Sequence, residues 1–392
     1  MNLYRKHKVI LLSLFGILLL LVYLNSRLGH LENDEVVYKT LVEKIACKTA
    51  FCVIPDLKYY NIQNTPILKI LDKQVYDHPI FFRPPAFIFT LALFYSMIGK
   101  WVYFIINPAL YIFLSILMYE LLYLITKNHN IALKGLSLVI VSPFLLFQIF
   151  KLWMDMFLTF FIFLSLYLIL LYQYQKKQLR YAFLSCLSVA IAILTKYQAV
   201  LVLPLLGYFL IKFIHGNKLF RIILVFAGPL LLAGLWFAFI IPFHPTIQFL
   251  FSNKPTAYEL ANFPFLKYVA TRPVYYYFSA LILINPIYLM IINWKDISQK
   301  KFPVVKPIAI FVLFVLFVLS CISTIGSFQS RYILIIQPFL ILLTALIPFN
   351  KNIYTKYFSI AAIFIAFITL AINISNQSVE IFSIPEMFGF KI

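Results

Sequence analysis

Acidic side chains are scarce in this chain. Its 392 residues hold 13 Asp and Glu against 33 Lys and Arg. So one-sided a balance, at only 12% charged residues, excludes the mixed-charge surface of an ordinary soluble domain. Glycine is also sparse, at ten residues. Neither a phosphate-cradling P-loop nor a dinucleotide fingerprint occurs, so a soluble nucleotide-sugar donor has no recognisable seat. There are four cysteines and six histidines, with no His-Glu-x-x-His and no Asp-x-Asp in the loop after the first apolar run. No cofactor is evident, and a divalent metal has no motif to support it. Cys186 and Cys321 fall in apolar runs as packing residues. Cys47 and Cys52 fall in a polar loop, where a disulfide and two free thiols are equally compatible with the spacing.

What the chain has in abundance is apolar surface: 63% hydrophobic residues, 42 of them Phe. Apolar runs of helical length recur from end to end, so the expected fold is all-α and polytopic, a bundle crossing a membrane. Val9–Leu24 follows Arg5, Lys6 and Lys8 like a signal sequence. It is followed by Asn25-Ser26-Arg27 rather than a small-residue cleavage site, which predicts a retained anchor. Eleven spans are expected, near 9–26, 103–126, 132–150, 155–174, 180–195, 197–214, 221–243, 275–293, 307–325, 331–349 and 357–375. Together they form one membrane domain, 1–375, with a short outer tail, 376–392. Pro84–Ile98 is apolar but too short for an ordinary span, and is expected to lie at the outer surface.

The charge pattern orients these spans. The N-terminal segment and the loops near 127–134, 175–180, 212–221, 293–306 and 350–356 carry 17 Lys and Arg and a single acid, Asp296. That is the positive-inside signature of a plasma (bacterial inner) membrane protein with these loops in the cytoplasm. The basic excess is therefore a topology signal rather than a nucleic-acid surface. The opposite, outer side holds one large loop, 27–102, and a smaller one, 244–273.

The candidate functional residues collect on that outer side. Asp34-Glu35 opens the large loop just beyond the first span, with Tyr38 one turn along. A carboxylate beside an apolar surface gains basicity by desolvation and suits a general base. Asp77-His78-Pro79 and Arg83-Pro84-Pro85 follow, with His78 and Arg83 as groups for substrate or phosphate. Lys151 precedes Asp155 at the head of a span. Lys196 and Arg331-Tyr332 put cations on the outer side against the charge rule, which is where function overrides topology.

In this order the motifs resemble the GT-C class of membrane glycosyltransferases, relatives of the protein O-mannosyltransferases and lipid A aminoarabinose transferases. Asp34-Glu35-x-x-Tyr38, Arg83-Pro84-Pro85, Asp155-Met156-x-x-Thr159-Phe160-Phe161, Leu194-Thr195-Lys196 and Arg331-Tyr332-x-x-x-x-x-Pro338 carry the likeness. It departs at Phe157 and Tyr197, where the class often has Pro and Gly, and in the short stretch after the last span. The resemblance implies an inverting transferase that takes a sugar from a polyprenyl-phosphate donor to a glycan, lipid A or protein acceptor on the outer face. By it, Asp34 is the base, Glu35 orients its neighbour and Asp155 supports the site. Arg83, Lys196 and Arg331 hold the donor phosphate, with Tyr38, His78 and Tyr332 lining the site. A polysaccharide polymerase or ligase, and a lipid or solute transporter, are the alternatives.

Overall fold

The computed structural model describes residues 2–28, 34–46, 85–140, 148–174, 178–213, 304–323 and 334–346, with a few single positions between them. The expected spans near 221–243, 275–293 and 357–375, both cysteines of the outer loop and the C-terminal tail lie outside the described residues.

Among the described residues all regular structure is helical: α1 Asn2–Leu28, α2 Asp34–Ala46, α3 Pro85–Ile98, α4 Val102–Thr126, α5 His129–Ile140, α6 Met154–Tyr174, α7 Leu179–Ile193, α8 Leu203–Phe213, α9 Val305–Ser323 and α10 Gln337–Leu346. The apolar path Pro85–Thr126 would suffice for two helices, and it is divided by a 3₁₀ turn at Gly99–Trp101. Gly99 stands there at φ +61°, a conformation that costs glycine nothing.

Helices adjacent in sequence pack side by side. α4 lies against α5 and α6, α6 against α7, and α10 against α5 and α9. Outward faces stay apolar, with Leu19 and Leu20 of α1, Phe113 of α4, Ile211 of α8 and Phe317 of α9 all exposed, as a hydrocarbon surround requires. The interhelical contacts sort to two ends. At one end Lys134 of α5 donates to the carbonyls of Thr344 and Ala345, the last turn of α10. At the other, Thr159 of α6 donates to Leu334 O and Gln337 of α10 to Ser142. Helices therefore alternate in direction, and the basic loop at 127–134 falls opposite Asp155 and Lys196.

The expected span 132–150 carries α5, His129–Ile140, at its start, and Leu145, Gln148 and Ile149 are helical further along it. The span expected from 331 begins its α-helix only at Gln337, with Pro338 in the first turn where its missing N–H is harmless. The span expected from 197 opens as a 3₁₀ turn, Tyr197–Val202, before α8.

One proline sits inside a helix. Pro108 of α4 cannot donate to the carbonyl of Phe104 four residues earlier. That carbonyl instead accepts Asn25 Nδ2 of α1 at 3.0 Å, so the end of the first helix is fastened to the fourth at a gap the proline makes. Asn25→Leu should cost about 1–2 kcal/mol by leaving a buried carbonyl unpaired. In a Pro108→Ala background, whose new N–H serves the same carbonyl, the loss should largely disappear. Thermal unfolding of the four purified proteins in detergent measures both effects. Equal losses in the two backgrounds would show that Asn25 stabilises by some other route.

Candidate functional site

Four elements close a ring at the end of the bundle away from the 127–134 loop. α2 begins at Asp34. One turn into it, Tyr38 is buried, its ring edge-on to Phe87 of α3 at 5.7 Å between centroids. Phe87 in turn meets Phe157 of α6 at 5.6 Å. The first turn of α3, whose N–H groups have no helical partner, gives Ala86 N–H to Leu194 O at 3.1 Å. Two residues beyond Leu194, Lys196 Nζ donates to Asp155 Oδ1 at 2.6 Å. The segment just before Asp155 returns to α2, where Leu152 N–H donates to Glu35 Oε1.

These contacts keep α3 at one level. It starts beside Leu194 and ends in the 3₁₀ turn that enters α4 close to Asn25, so both its ends lie at the same end of the bundle.

Asp155 stands in the first turn of α6, where a carboxylate meets the positive end of the helix dipole. Its side chain is 3% exposed and that of Lys196 18%. An isolated charge so deeply enclosed would be strongly disfavoured, and pairing compensates it. Lys196 has three donors, one of them committed to Asp155, so its ammonium is aimed by the carboxylate. It reaches this position because α7 ends at Ile193 and Lys196 adopts extended backbone, φ −159°, ψ 130°, before the next turn.

The chain leaves the helix between Ile149 and Met154, and carbonyls on this approach to α6 are gathered by one side chain. Asn107 of α4 donates through Nδ2 to Gln148 O at 3.3 Å, to Lys151 O, and to Trp153 O at 3.2 Å. Several carboxamide atoms here are enclosed without a protein partner: Asn107 Oδ1, both polar atoms of Gln148, and Gln337 Oε1.

The structure therefore brings Glu35, Tyr38, Asp155 and Lys196 to one place. Tyr38 serves there to seat α2 on α3. Lys151 is buried and contributes its carbonyl to the Asn107 clasp. The side chain of Asp34, and His78, Arg83, Arg331 and Tyr332 altogether, lie outside the described residues. Among the described residues, no three His, Cys, Asp or Glu side chains are grouped to hold a metal ion. Sequence reasoning missed Asn107. Its signal was a polar residue directly before a proline within an apolar run, a position where buried polarity calls for a partner.

Residues 77–244 match the family model described as dolichyl-phosphate-mannose-protein mannosyltransferase. That stretch includes His78, Arg83, Asp155 and Lys196. The match and the fold agree with the resemblance to GT-C membrane glycosyltransferases that the sequence motifs carry. The fold's likeness is to ArnT from Cupriavidus metallidurans in the apo state, with a TM-score of 0.55 at 14% identity, covering 90% of this chain and 62% of that one. Against the same protein bound to undecaprenyl phosphate the TM-score is 0.53, again at 14% identity, covering 93% and 71%. The chain thus spans about 62% of the length of apo ArnT. No curated protein sequence matches it.

Glu35→Ala should destabilise the protein by about 1.5–3 kcal/mol, the scale of a lost hydrogen bond to a charged group. Glu35→Gln keeps an acceptor for Leu152 N–H and should lose less. Thermal melts of both variants decide this; a Glu35→Ala melt equal to wild type would show that the bond carries no stability.

Proposed function

We propose that this protein transfers a sugar from a polyprenyl-phosphate donor to a glycan, lipid or protein acceptor at the extracytoplasmic face of the plasma membrane. The observation that carries the reading is the Asp155–Lys196 pair, a cation held at the end of a bundle whose fold is shared with a protein crystallised with undecaprenyl phosphate. An isoprenoid carrier suits such a bundle, because its tail supplies the membrane anchoring and its phosphate lies at headgroup depth. There a fixed cation acts more strongly than in bulk water. The two enclosed polar atoms of Gln148 and the Oε1 of Gln337, which have no hydrogen-bond partner, are neutral groups of the kind that sugar hydroxyls match.

In this scheme the acceptor hydroxyl oxygen attacks the anomeric carbon from the face opposite the phosphate. The new carbon–oxygen bond forms as the bond to the phosphate oxygen breaks, and the polyprenyl phosphate leaves with its electron pair. The configuration at the sugar inverts. Asp34, next to the anchored Glu35, takes the hydroxyl proton. Lys196, aimed by Asp155, and Arg83 and Arg331 stabilise the charge that grows on the phosphate. His78 and Tyr332 contact the donor, and no metal enters the scheme. A polymerase or ligase would use the same chemistry with a longer acceptor. A transporter would instead hold its charges at mid-span, and the enclosed pair at the bundle end favours group transfer.

Sidedness is tested by an impermeant thiol reagent on intact cells. Asn128→Cys, in the exposed turn at the opposite end from Asp155, should stay unlabelled until the cells are opened. Strong labelling in intact cells would turn the site to the cytoplasm and remove the reason for a lipid-borne donor.

Asp34→Asn keeps size and hydrogen bonding but removes basicity. It should lower transfer by about two to four orders of magnitude, the range for a lost general base, with carrier binding retained. Near-normal turnover in purified Asp34→Asn would exclude Asp34 as the base.

A further inference from the structure

Asn107 belongs to none of the motifs that carry the family likeness, yet its amide is among the most heavily used side chains at this end of the bundle. It is 1% exposed and donates through Nδ2 to three carbonyls of one short segment. That segment ends at Trp153, and Asp155 follows two residues later. Glu35 holds the same segment from the α2 side through Leu152 N–H. Gln148 and Ile149 are helical, and Gln148 O also accepts Lys151 N–H at 3.4 Å, but from Lys151 to Trp153 the chain leaves the helix, and Asn107 and Glu35 hold it there. The amide orientation is fixed by chemistry, since the opposite flip would turn Oδ1 onto three carbonyl oxygens.

We infer that Asn107 is a positioning residue for the anion site. By clasping residues 148–153 it sets where α6 begins, hence where Asp155 meets Lys196 and in what direction the Lys196 ammonium is presented to a polyprenyl phosphate. The inference rests on the proposed function above and adds to it a residue that touches neither donor nor acceptor. Without the clasp, the segment relaxes toward other donors, Asp155 shifts with it, and the ammonium loses its fixed aim while the helices remain assembled.

The test uses the full-length protein in detergent, with undecaprenyl phosphate as the probe and tryptophan emission as the readout. Asn107→Leu, similar in shape but without a donor, should weaken binding about ten- to a hundredfold, the scale seen when a group that orients a binding residue is removed. Lys196→Met should weaken binding as well. The double variant should be no weaker than Lys196→Met alone, because Asn107 acts through Lys196. A residue with only a structural role would instead add its effect to that of Lys196→Met, or change stability with affinity untouched, and either result overturns the inference. If Asn107→Leu does not accumulate as folded protein, Asn107→Ser, which retains a shorter donor, is put through the same cycle and decides by the same criterion. Wild-type protein that fails to bind undecaprenyl phosphate overturns the proposed donor itself. Wild-type binding with unchanged affinity in the Asn107 variant overturns only the positioning role.

Discussion

An apolar bundle offers no water to a backbone that leaves its helix, and the site at the end of this one is built from chain that does so. Residues 150–153, the turn from Leu194 to Lys196 and the first turn of α3 all leave polar backbone groups without helical partners. Each unpaired group would cost free energy on the scale of a lost hydrogen bond. The requirement is met locally: Asn107 takes three carbonyls, Glu35 takes Leu152 N–H, and Leu194 O takes Ala86 N–H. The same demand appears at Pro108, where Asn25 takes the carbonyl the proline strands. The partners come from α1, α2, α3, α4 and the end of α7, so satisfying the backbone also ties the elements together.

That arrangement is what allows a charge to be kept there. Lys196 would be expensive alone in an enclosed site, and Asp155 more so at 3% side-chain exposure. Held together at 2.6 Å they form a neutral unit with a directed positive end. An incoming phosphate would meet an ammonium whose orientation is already set, which limits the reorganisation required when charge develops on the leaving group. Further cations are needed to balance a phosphate fully, and the proposed scheme draws them from Arg83 and Arg331.

Much of this was legible in the sequence because it rests on two coarse signals. Apolar length and basic loops gave helix positions and alternation, and Lys196, a cation set against the charge rule, proved to be paired with Asp155 at the head of a helix. Less legible was what depends on one atom meeting another across the bundle. Nothing in Leu152 or Trp153 announces that their backbone leaves the helix, and the identity of Asn107 gains meaning only once those carbonyls are beside it. One helix start was misjudged by several residues, at 337, although Pro338 stood in the sequence, because apolar character continues through the proline and masks the break. Tyr38, read as a site residue from its spacing to Asp34, also packs its ring edge-on to Phe87, a contact that spacing along one helix does not reveal.

The adjacent acids Asp34 and Glu35 read from sequence as a base and a neighbour that orients it. Successive positions on a helix project about 100° apart, so neighbours in sequence seldom serve one partner. In α2 the carboxylate of Glu35, wholly enclosed, accepts from the backbone before α6. A carboxylate so engaged is a poor acceptor for a substrate proton, since taking the proton would surrender a hydrogen bond that helps seat the helix. The chemistry of the motif therefore divides: Glu35 fixes α2 against the segment that carries Asp155, and the proposed proton transfer falls to Asp34. A double acid of this kind lets one member hold the helix while the other is left for the proposed chemistry.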